Sequence, residues 1–185
     1  CGALYGPRLG MPLVWDDYGV LVLNPALGKS FPVGAWFGPE YFDFSHEQSW
    51  RPLATLSYFL AARLWGPAAW PLRLLSLLLH ALVGVLLHRL ARDRGLSAKA
   101  ASAATALFLI HPVHIETLLV ASFNEELLVA AALLACLLLH ERERPAASAL
   151  CMALGLLAKE TAAMALPLIV LDDFCRRGPD AFRRK

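Results

Sequence analysis

The feature of this sequence that most constrains its fold is a long apolar stretch, at about 68–90, whose only charged residues are two arginines. A helix needs about 20 mostly apolar residues to cross the roughly 30 Å hydrocarbon core of a bilayer. The whole chain has a matching composition, because 58% of its 185 residues are hydrophobic and 17% are charged. Soluble domains are about 45–50% apolar and about 25% charged. The sequence therefore predicts an all-α integral membrane protein, a multi-pass helical bundle.

Further apolar segments follow the first and extend this bundle. We predict later helices at about 98–110, 126–140, 146–157 and 161–171. The last two have about a dozen residues each, or roughly 18 Å of helix, which is short for the bilayer core. They form a short pair in our interpretation, and the hairpin tip at Lys159-Glu160 stops at an interface or a cavity.

The stretch at 14–66 is the longest part of the chain without a long apolar helix. Glycine and proline interrupt it repeatedly, which is typical of a loop. Within it, the segment from Leu53 to Trp65 has helical apolar spacing but is too short to span, so we predict a helix lying in the membrane interface. Because there is no initiator methionine, we interpret the sequence as a fragment and the mildly apolar residues 1–13 as a candidate for the end of a lost transmembrane helix; a mature lipoprotein that begins at Cys1 is the alternative.

Basic residues predict the orientation of the bundle. They cluster at 89–99, 141–145 and 176–185. Short basic loops stay in the cytoplasm, and we therefore interpret 176–185 as a cytoplasmic segment. The acidic pair Asp16-Asp17, the 111–125 loop and Lys159-Glu160 are then predicted to share the opposite, non-cytoplasmic side.

The acidic pair is the first candidate for chemistry. One of Asp16 and Asp17 can act as the base for an incoming hydroxyl, while the other orients that hydroxyl or holds a divalent cation. We favour Asp17 as the base, because its neighbour Tyr18 is placed to shape an acceptor pocket. The alternative for this common dipeptide is a helix cap or a loop surface.

A second polar cluster follows the predicted helix at 98–110. Pro112 ends that helix and presents His111, His114 and Glu116 at the membrane edge. Their spacing matches no standard metal site, so hydrogen bonding to substrate or backbone is the favoured role and no metal site is predicted. Glu125-Glu126 begin the next helix, where carboxylates suit the helix dipole, and this role accounts for them.

Three further groups are candidates for binding an anion or other substrate group. A charged pair at membrane depth is costly and indicates function, so Lys159 is predicted to bind a phosphate, with Glu160 beside it. The equal alternative is a mutual ion pair at a hairpin tip. Arg51 is a second candidate anion contact or else an interface arginine, and His46 is either a substrate contact or a loop polar group.

Other classes of function lack support in this sequence. The net charge of +2 gives no indication of nucleic-acid binding. The four cysteines have no metal-ligand spacing, and we interpret them as small buried hydrophobic residues. No phosphate loop, dinucleotide fingerprint or Ser/His/Asp-type motif is present.

A series of short motifs resembles one family of enzymes. In order, these motifs are Trp15-Asp16-Asp17-Tyr18, Asn24-Pro25, Ser45-His46 with Trp50-Arg51-Pro52-Leu53, His111-Pro112 with His114 and Glu116, and Leu157-Ala158-Lys159-Glu160. The series resembles the transmembrane and tetratricopeptide-repeat O-mannosyltransferases and their bacterial relatives, which are GT-C glycosyltransferases. The resemblance covers about 15–173. One departure is that Ser122-Phe123-Asn124-Glu125 stands where the family usually carries Gly-Arg-Ala-Glu.

The resemblance implies an enzyme of the bacterial inner membrane or the endoplasmic reticulum. Such an enzyme takes a sugar, typically mannose, from a polyprenyl or dolichyl phosphate and transfers it to a protein Ser or Thr hydroxyl on the non-cytoplasmic side. Its partners are the lipid-linked donor, the acceptor protein and the bilayer. Asp16 and Asp17 match the acidic motif of the first outer loop, so 14–66 is predicted to be the catalytic loop.

A transporter or flippase of a lipid-linked or small polar molecule is the alternative function. Transporters place ionisable residues near the membrane midplane on broken helices. Here the strongest polar cluster lies in a long loop at one surface, which favours the enzyme.

Overall fold

The computed structural model describes residues 5–23, 38, 41–42, 49–66 and 68–177. Within these ranges the chain is all-α and has no strand, which confirms the predicted fold class. The α-helices are α1 (Pro52–Trp65), α2 (Ala69–Asp93), α3 (Ala98–Ile110), α4 (Ile115–Leu119), α5 (Asn124–Glu141), α6 (Pro145–Ala158) and α7 (Ala165–Arg177). Single 3₁₀ turns precede α4, α5 and α7, and a π-helical turn covers Tyr18–Val22.

Two helical segments of the described chain are long and apolar enough to cross a membrane. They are Ala69–Asp93, with 25 residues, and Ala121–Glu141, with 21 residues. A third span results if α3 and Pro112–Leu119, which meet at an angle of 46°, are counted as one broken span. Helix α6 is apolar but shorter.

Local sequence signals account for where several helices begin and end. Proline occupies the first turn of α1 and α6, where its missing N–H breaks no helical hydrogen bond. The Ser97 hydroxyl caps α3 by accepting a hydrogen bond of 3.2 Å from the Ala100 backbone N–H. Pro112 follows the last residues of α3, where its ring disfavours a continuing helix.

Helix α5 is central to the bundle, because it packs against both α2 and α6. Small residues allow close approach at two points. A Cβ atom at Gly155 in α6 would lie 2.8 Å from the Ala162 Cβ and 3.0 Å from the Ala132 Cβ. A Cβ at Gly84 in α2 would lie 2.7 Å from the Leu109 side chain. Small residues such as Gly155, Ala162 and Ala132 bring helices together in membrane proteins.

Ion pairs join the helix ends at one end of the bundle. The Arg94 guanidinium lies 2.5 Å from the Glu141 carboxylate and 2.8 Å from Asp172. Arg142 lies 2.9 Å from Asp93. The α2–α3 turn, the α5–α6 turn and α7 therefore meet at this end. Arg73, Glu125 and Lys159 lie at the other ends of α2, α5 and α6.

Candidate active site

The two carboxylates of the acidic pair lie in different environments. Asp17 is fully buried. Its Oδ1 accepts a hydrogen bond of 2.8 Å from the Ser122 backbone N–H, and its Oδ2 accepts one of 3.1 Å from the Val14 N–H. Asp16 is exposed, and its carboxylate has no partner among the residues that the structure describes. Asp17 therefore anchors the loop, while Asp16 is free to meet a ligand.

An open cleft of about 420 Å³ lies beside the acidic pair. Trp15 and Val14 line it from the loop, and Ile115 and Glu116 line it from α4. Trp15 is 69% exposed and has a φ of 51°, a left-handed conformation that is uncommon for a bulky side chain. Strained backbone of this kind clusters at functional sites. The cleft thus brings the predicted residue Glu116 to the loop that carries Asp16.

Arg73 of α2 fixes the chain that leads into the acidic pair. It is almost fully buried and donates hydrogen bonds of 2.9 Å to the Leu119 carbonyl and 2.6 Å to the Pro12 carbonyl. It also donates to the carbonyls of Leu9 and Met11. Sequence reasoning missed this residue, although an arginine inside an apolar span is itself a signal of a special role.

Buried tyrosines connect α1 to the same region. The Tyr58 hydroxyl donates to the Ser122 carbonyl, and the Ser122 N–H is the group that holds Asp17. The Tyr41 hydroxyl accepts a hydrogen bond of 3.1 Å from the Arg51 N–H and lies 2.7 Å from the Thr55 hydroxyl. The acidic loop and the start of α1 are therefore parts of one hydrogen-bonded assembly.

Five charged side chains from three parts of the chain form what we call the ion-pair network, namely Arg51, Glu125, Glu126, Lys159 and Glu160. The Arg51 Nη1 lies 2.8 Å from both Glu125 carboxylate oxygens, and its Nη2 lies 3.1 Å from Glu160. The Lys159 Nζ lies 2.8 Å from Glu125 and 2.5 Å from Glu126. Two cations and three carboxylates give the ion-pair network a formal charge of −1.

The ion-pair network changes the interpretation of two sequence predictions. Lys159 and Glu160 do not pair with each other; Lys159 pairs with Glu125 and Glu126, and Glu160 pairs with Arg51. The helix-dipole role is not a sufficient account of Glu125, whose side chain is 9% exposed and bridges both cations. Three predicted residues, Arg51, Lys159 and Glu160, are thus brought together by a glutamate that local sequence did not single out.

The charges of the ion-pair network reinforce one another. Burial by itself would lower the pKa of Lys159, but hydrogen bonds and Coulombic attraction to Glu125 and Glu126 outweigh burial and raise it. Burial likewise opposes ionisation of Arg51, and attraction to Glu125 and Glu160 raises its pKa. The pKa of Glu160 is lowered by a hydrogen bond from the Glu160 backbone N–H and by the Arg51 guanidinium. All three groups are therefore charged at neutral pH.

The predicted histidines occupy a separate position. The His111 Nδ1 accepts a hydrogen bond of 3.2 Å from the Val113 N–H and caps the following turn. The His114 ring centroid lies 4.4 Å from that of Phe108 and 5.0 Å from that of His80. Among the described residues, no hydrogen bond or ion pair joins these histidines to Asp17 or to the ion-pair network. His46 lies outside the described residues.

The described part of the chain contains no group of three or more His, Cys, Asp or Glu side chains placed to hold a metal ion. The cysteines there have no disulfide partner; Cys136 is buried, Cys151 is half-buried and Cys175 is exposed. The site therefore offers two kinds of chemistry, an exposed carboxylate at Asp16, next in sequence to the cleft-lining Trp15, and a set of paired cations.

Membrane-length helices with an exposed carboxylate and paired cations at one end have the organisation of an integral membrane protein. The model of glycosyltransferase family 87 matches residues 26–182, and the chain belongs to this family. No solved structure matches it.

Curated relatives agree with the resemblance noted from the motifs. The chain is 32% identical to the protein O-mannosyl-transferase Tmtc2 of Drosophila melanogaster, over 94% of this chain and 20% of that protein. It is 27% identical to the protein O-mannosyl-transferase F38B6.6 of Caenorhabditis elegans, over 90% of this chain and 26% of that protein. Identity to human TMTC3, also a protein O-mannosyl-transferase, is 28% over 77% of this chain and 16% of that protein. The chain thus spans about a fifth of the length of these relatives.

Proposed function

We propose that this chain forms the reactive end of a membrane glycosyltransferase that moves a sugar from a polyprenyl or dolichyl phosphate to a Ser or Thr hydroxyl of a protein. The names of the relatives support mannose as the sugar and a protein as the acceptor. We place the reaction on the non-cytoplasmic side of the membrane, opposite the basic turn at 89–99. The observation that carries this proposal is that Asp16 is exposed between the cleft-lining Trp15 and the buried, hydrogen-bonded Asp17, in a chain of this family.

Asp16 is the base in this proposal, in place of the Asp17 favoured from the sequence. The acceptor hydroxyl lies in the cleft beside Trp15 and Glu116, and Asp16 removes its proton. The hydroxyl oxygen then bonds to the anomeric carbon of the sugar while the bond from that carbon to the lipid phosphate breaks. The phosphate leaves with the electron pair. Asp17 is fully buried and its two oxygens already accept hydrogen bonds from Ser122 and Val14, so it acts as a positioning residue.

Arg51 is the contact for the leaving phosphate in this proposal. Both cations of the ion-pair network are already neutralised, so a phosphate has to displace a carboxylate. Glu160 is the one most easily displaced, because its side chain is 69% exposed and reaches a single Arg51 nitrogen at 3.1 Å. Lys159 pairs with Glu125 and Glu126, so once Glu160 is displaced the remaining two cations and two carboxylates have no net charge to repel a phosphate. Guanidinium is suited to this exchange because it binds carboxylate and phosphate in the same forked geometry.

Sugar transfer by amide variants tests the role of the acidic pair. In membranes that express the protein, Asp16→Asn should lower the initial rate of radiolabelled mannose transfer from a polyprenyl-phosphate donor by about 10²–10⁴-fold, the usual cost of a lost general base. Asp93→Asn, at the far end of the bundle, is the matched control and should transfer at the parental rate. Near-parental transfer by Asp16→Asn would refute its role as the base.

Donor binding tests the exchange at Arg51. Glu160→Gln removes the competing carboxylate and should lower the KM for the donor, whereas Arg51→Gln should raise it. The charge-assisted contact that Arg51 provides corresponds to roughly tenfold or more in affinity. A higher KM for Glu160→Gln would show that Glu160 supports donor binding and would contradict the exchange.

A further inference from the structure

A second concave surface lies between α2 and α3, away from the acidic pair. This α2–α3 groove has a volume of about 440 Å³, and its apolar walls are formed by Ala81, Gly84 and Val85 of α2 and by Leu109 of α3. Small-molecule sites in proteins are about 300–1,000 Å³. Leu78, Leu82 and Val85, on the same helix, are among its exposed large hydrophobic residues, so the groove is part of the apolar exterior of a membrane-length helix.

One end of the α2–α3 groove is polar. His88 and Arg89 line it there, one turn before the end of α2. Arg89 is exposed, and no carboxylate among the described residues pairs with it. Arg89 differs in this respect from Arg94, Arg142 and Arg176, which all form ion pairs at the same end of the bundle. Arg89 therefore offers a positive charge that the protein itself does not neutralise.

Thr105 supplies an independent observation in the wall of the groove. The residue is only 9% exposed, and its hydroxyl has no hydrogen-bond partner in the described structure. A buried hydroxyl without a partner costs about 1–3 kcal/mol, so such groups are nearly always satisfied. A ligand in the groove that brings an oxygen to Thr105 removes this cost.

We propose that the α2–α3 groove binds one anionic phospholipid. The acyl chain lies along Ala81, Gly84 and Val85, the phosphate contacts Arg89 and His88, and an ester or phosphate oxygen accepts a hydrogen bond from the Thr105 hydroxyl. Three features select this occupant. The groove lies among exposed apolar residues of a membrane-length helix, its apolar length continues from a polar end, and its free charge is positive. The site is at the opposite end of α2 from Arg73 and the acidic loop, so it does not depend on the proposed transfer reaction.

Lipid binding to the purified protein tests this site. Native mass spectrometry of the protein in a neutral detergent, titrated with phosphatidylglycerol, gives an apparent Kd. Arg89→Gln should weaken binding by about five- to tenfold, since it removes one surface charge and one charge-assisted hydrogen bond. Thr105→Val keeps the side-chain shape and should weaken binding about three- to tenfold by removing the hydroxyl. Lys99→Gln is the matched control, because Lys99 is an exposed cation of α3 that does not line the groove.

Each result bears on the proposal. Parental affinity in Lys99→Gln, together with weaker binding of phosphatidylcholine than of phosphatidylglycerol, supports a built site. An equal loss in Lys99→Gln would show attraction of lipid by the basic turn in general and would overturn it. Unchanged affinity in both Arg89→Gln and Thr105→Val would also overturn it. Competition by millimolar inorganic phosphate would identify a free phosphate site instead of a lipid site; we expect none.

Discussion

Two adjacent glutamates allow a matched test of the ion-pair network. Glu125 and Glu126 start α5 and receive the same substitution, Glu→Gln, which keeps the shape and removes the charge. Glu125 is 9% exposed in its side chain and contacts both Arg51 and Lys159, whereas Glu126 is 45% exposed and contacts Lys159 alone. The same chemical change is therefore predicted to have very different effects at neighbouring positions.

The expected size of each effect follows from these contacts. Removing one partner of a buried ion pair costs about 3–5 kcal/mol, because a charge is left without compensation. After Glu125→Gln the two cations keep Glu160 and Glu126 and some access to solvent, so we expect a cost of about 2–3 kcal/mol. Glu126→Gln breaks a surface pair and should cost at most about 1 kcal/mol.

Thermal unfolding in detergent provides the measurement. For chains of this length, 1 kcal/mol corresponds to about 2–4 °C in Tm. Glu125→Gln should therefore lower the Tm by about 4–12 °C, and Glu126→Gln by less than about 4 °C. Equal shifts in the two variants, or a larger shift for Glu126→Gln, would refute the burial argument and the central position of Glu125.

Three other perturbations follow from the same contacts. Gly155→Ala should lower the free energy of unfolding by about 1–3 kcal/mol, because the added methyl group overpacks the contact between α5 and α6. Gly19→Ala is the control and should change this free energy little, because the space around its Cβ is open. Chemical or thermal unfolding measures both variants. The pKa of Lys159 is raised in the folded state. The positive charge of Lys159 therefore stabilises the fold fully below about pH 10.5, the ordinary pKa of lysine, and this stabilisation is lost as the pH rises through the pKa of the folded state. Lys159→Arg stays charged, so its Tm should fall less than that of the parent above that pH. Tyr18→Cys and Ser97→Cys, in a cysteine-free background, should react with an impermeant reagent from opposite sides of the membrane, and labelling from the same side would contradict the predicted topology.

Local sequence predicted the bounds of some helices, such as α3, but not those of α7, which was predicted at 161–171 and covers Ala165–Arg177 after a 3₁₀ turn. Pro112 and Pro145 mark where a helix stops or starts, and the sequence predicts α3 at 98–110, the range that it has in the structure. Such boundaries depend on neighbouring residues alone, because proline restricts its own φ and the residue before it. The membrane-crossing length of α2 follows in the same way from a continuous apolar stretch.

The contacts of the site could not be predicted in this way. Arg51 and Glu125 are 74 positions apart, and Asp17 and Ser122 are 105 apart. Periodicity contains no information on which distant groups meet, so the sequence analysis assigned Glu125 to the helix dipole and favoured Asp17 over Asp16 on the strength of its neighbour Tyr18 alone. The structure distinguishes Asp16 from Asp17, because the distant backbone N–H of Ser122 donates a hydrogen bond to Asp17 and not to Asp16. Arg73 was overlooked because its partners are backbone carbonyls, which no side-chain motif records.

We propose that the exposed carboxylate of Asp16 activates a protein hydroxyl toward a lipid-linked sugar. The most direct measurement is mass spectrometry of an acceptor Ser/Thr peptide after incubation of the purified protein with polyprenyl-phosphate mannose. We predict one hexose on a hydroxyl side chain with the parent protein and with Asp93→Asn, and almost none with Asp16→Asn at an unchanged Tm. Hexose transfer by Asp16→Asn at the parental level, or no transfer by a folded parent supplied with intact donor, would contradict the account.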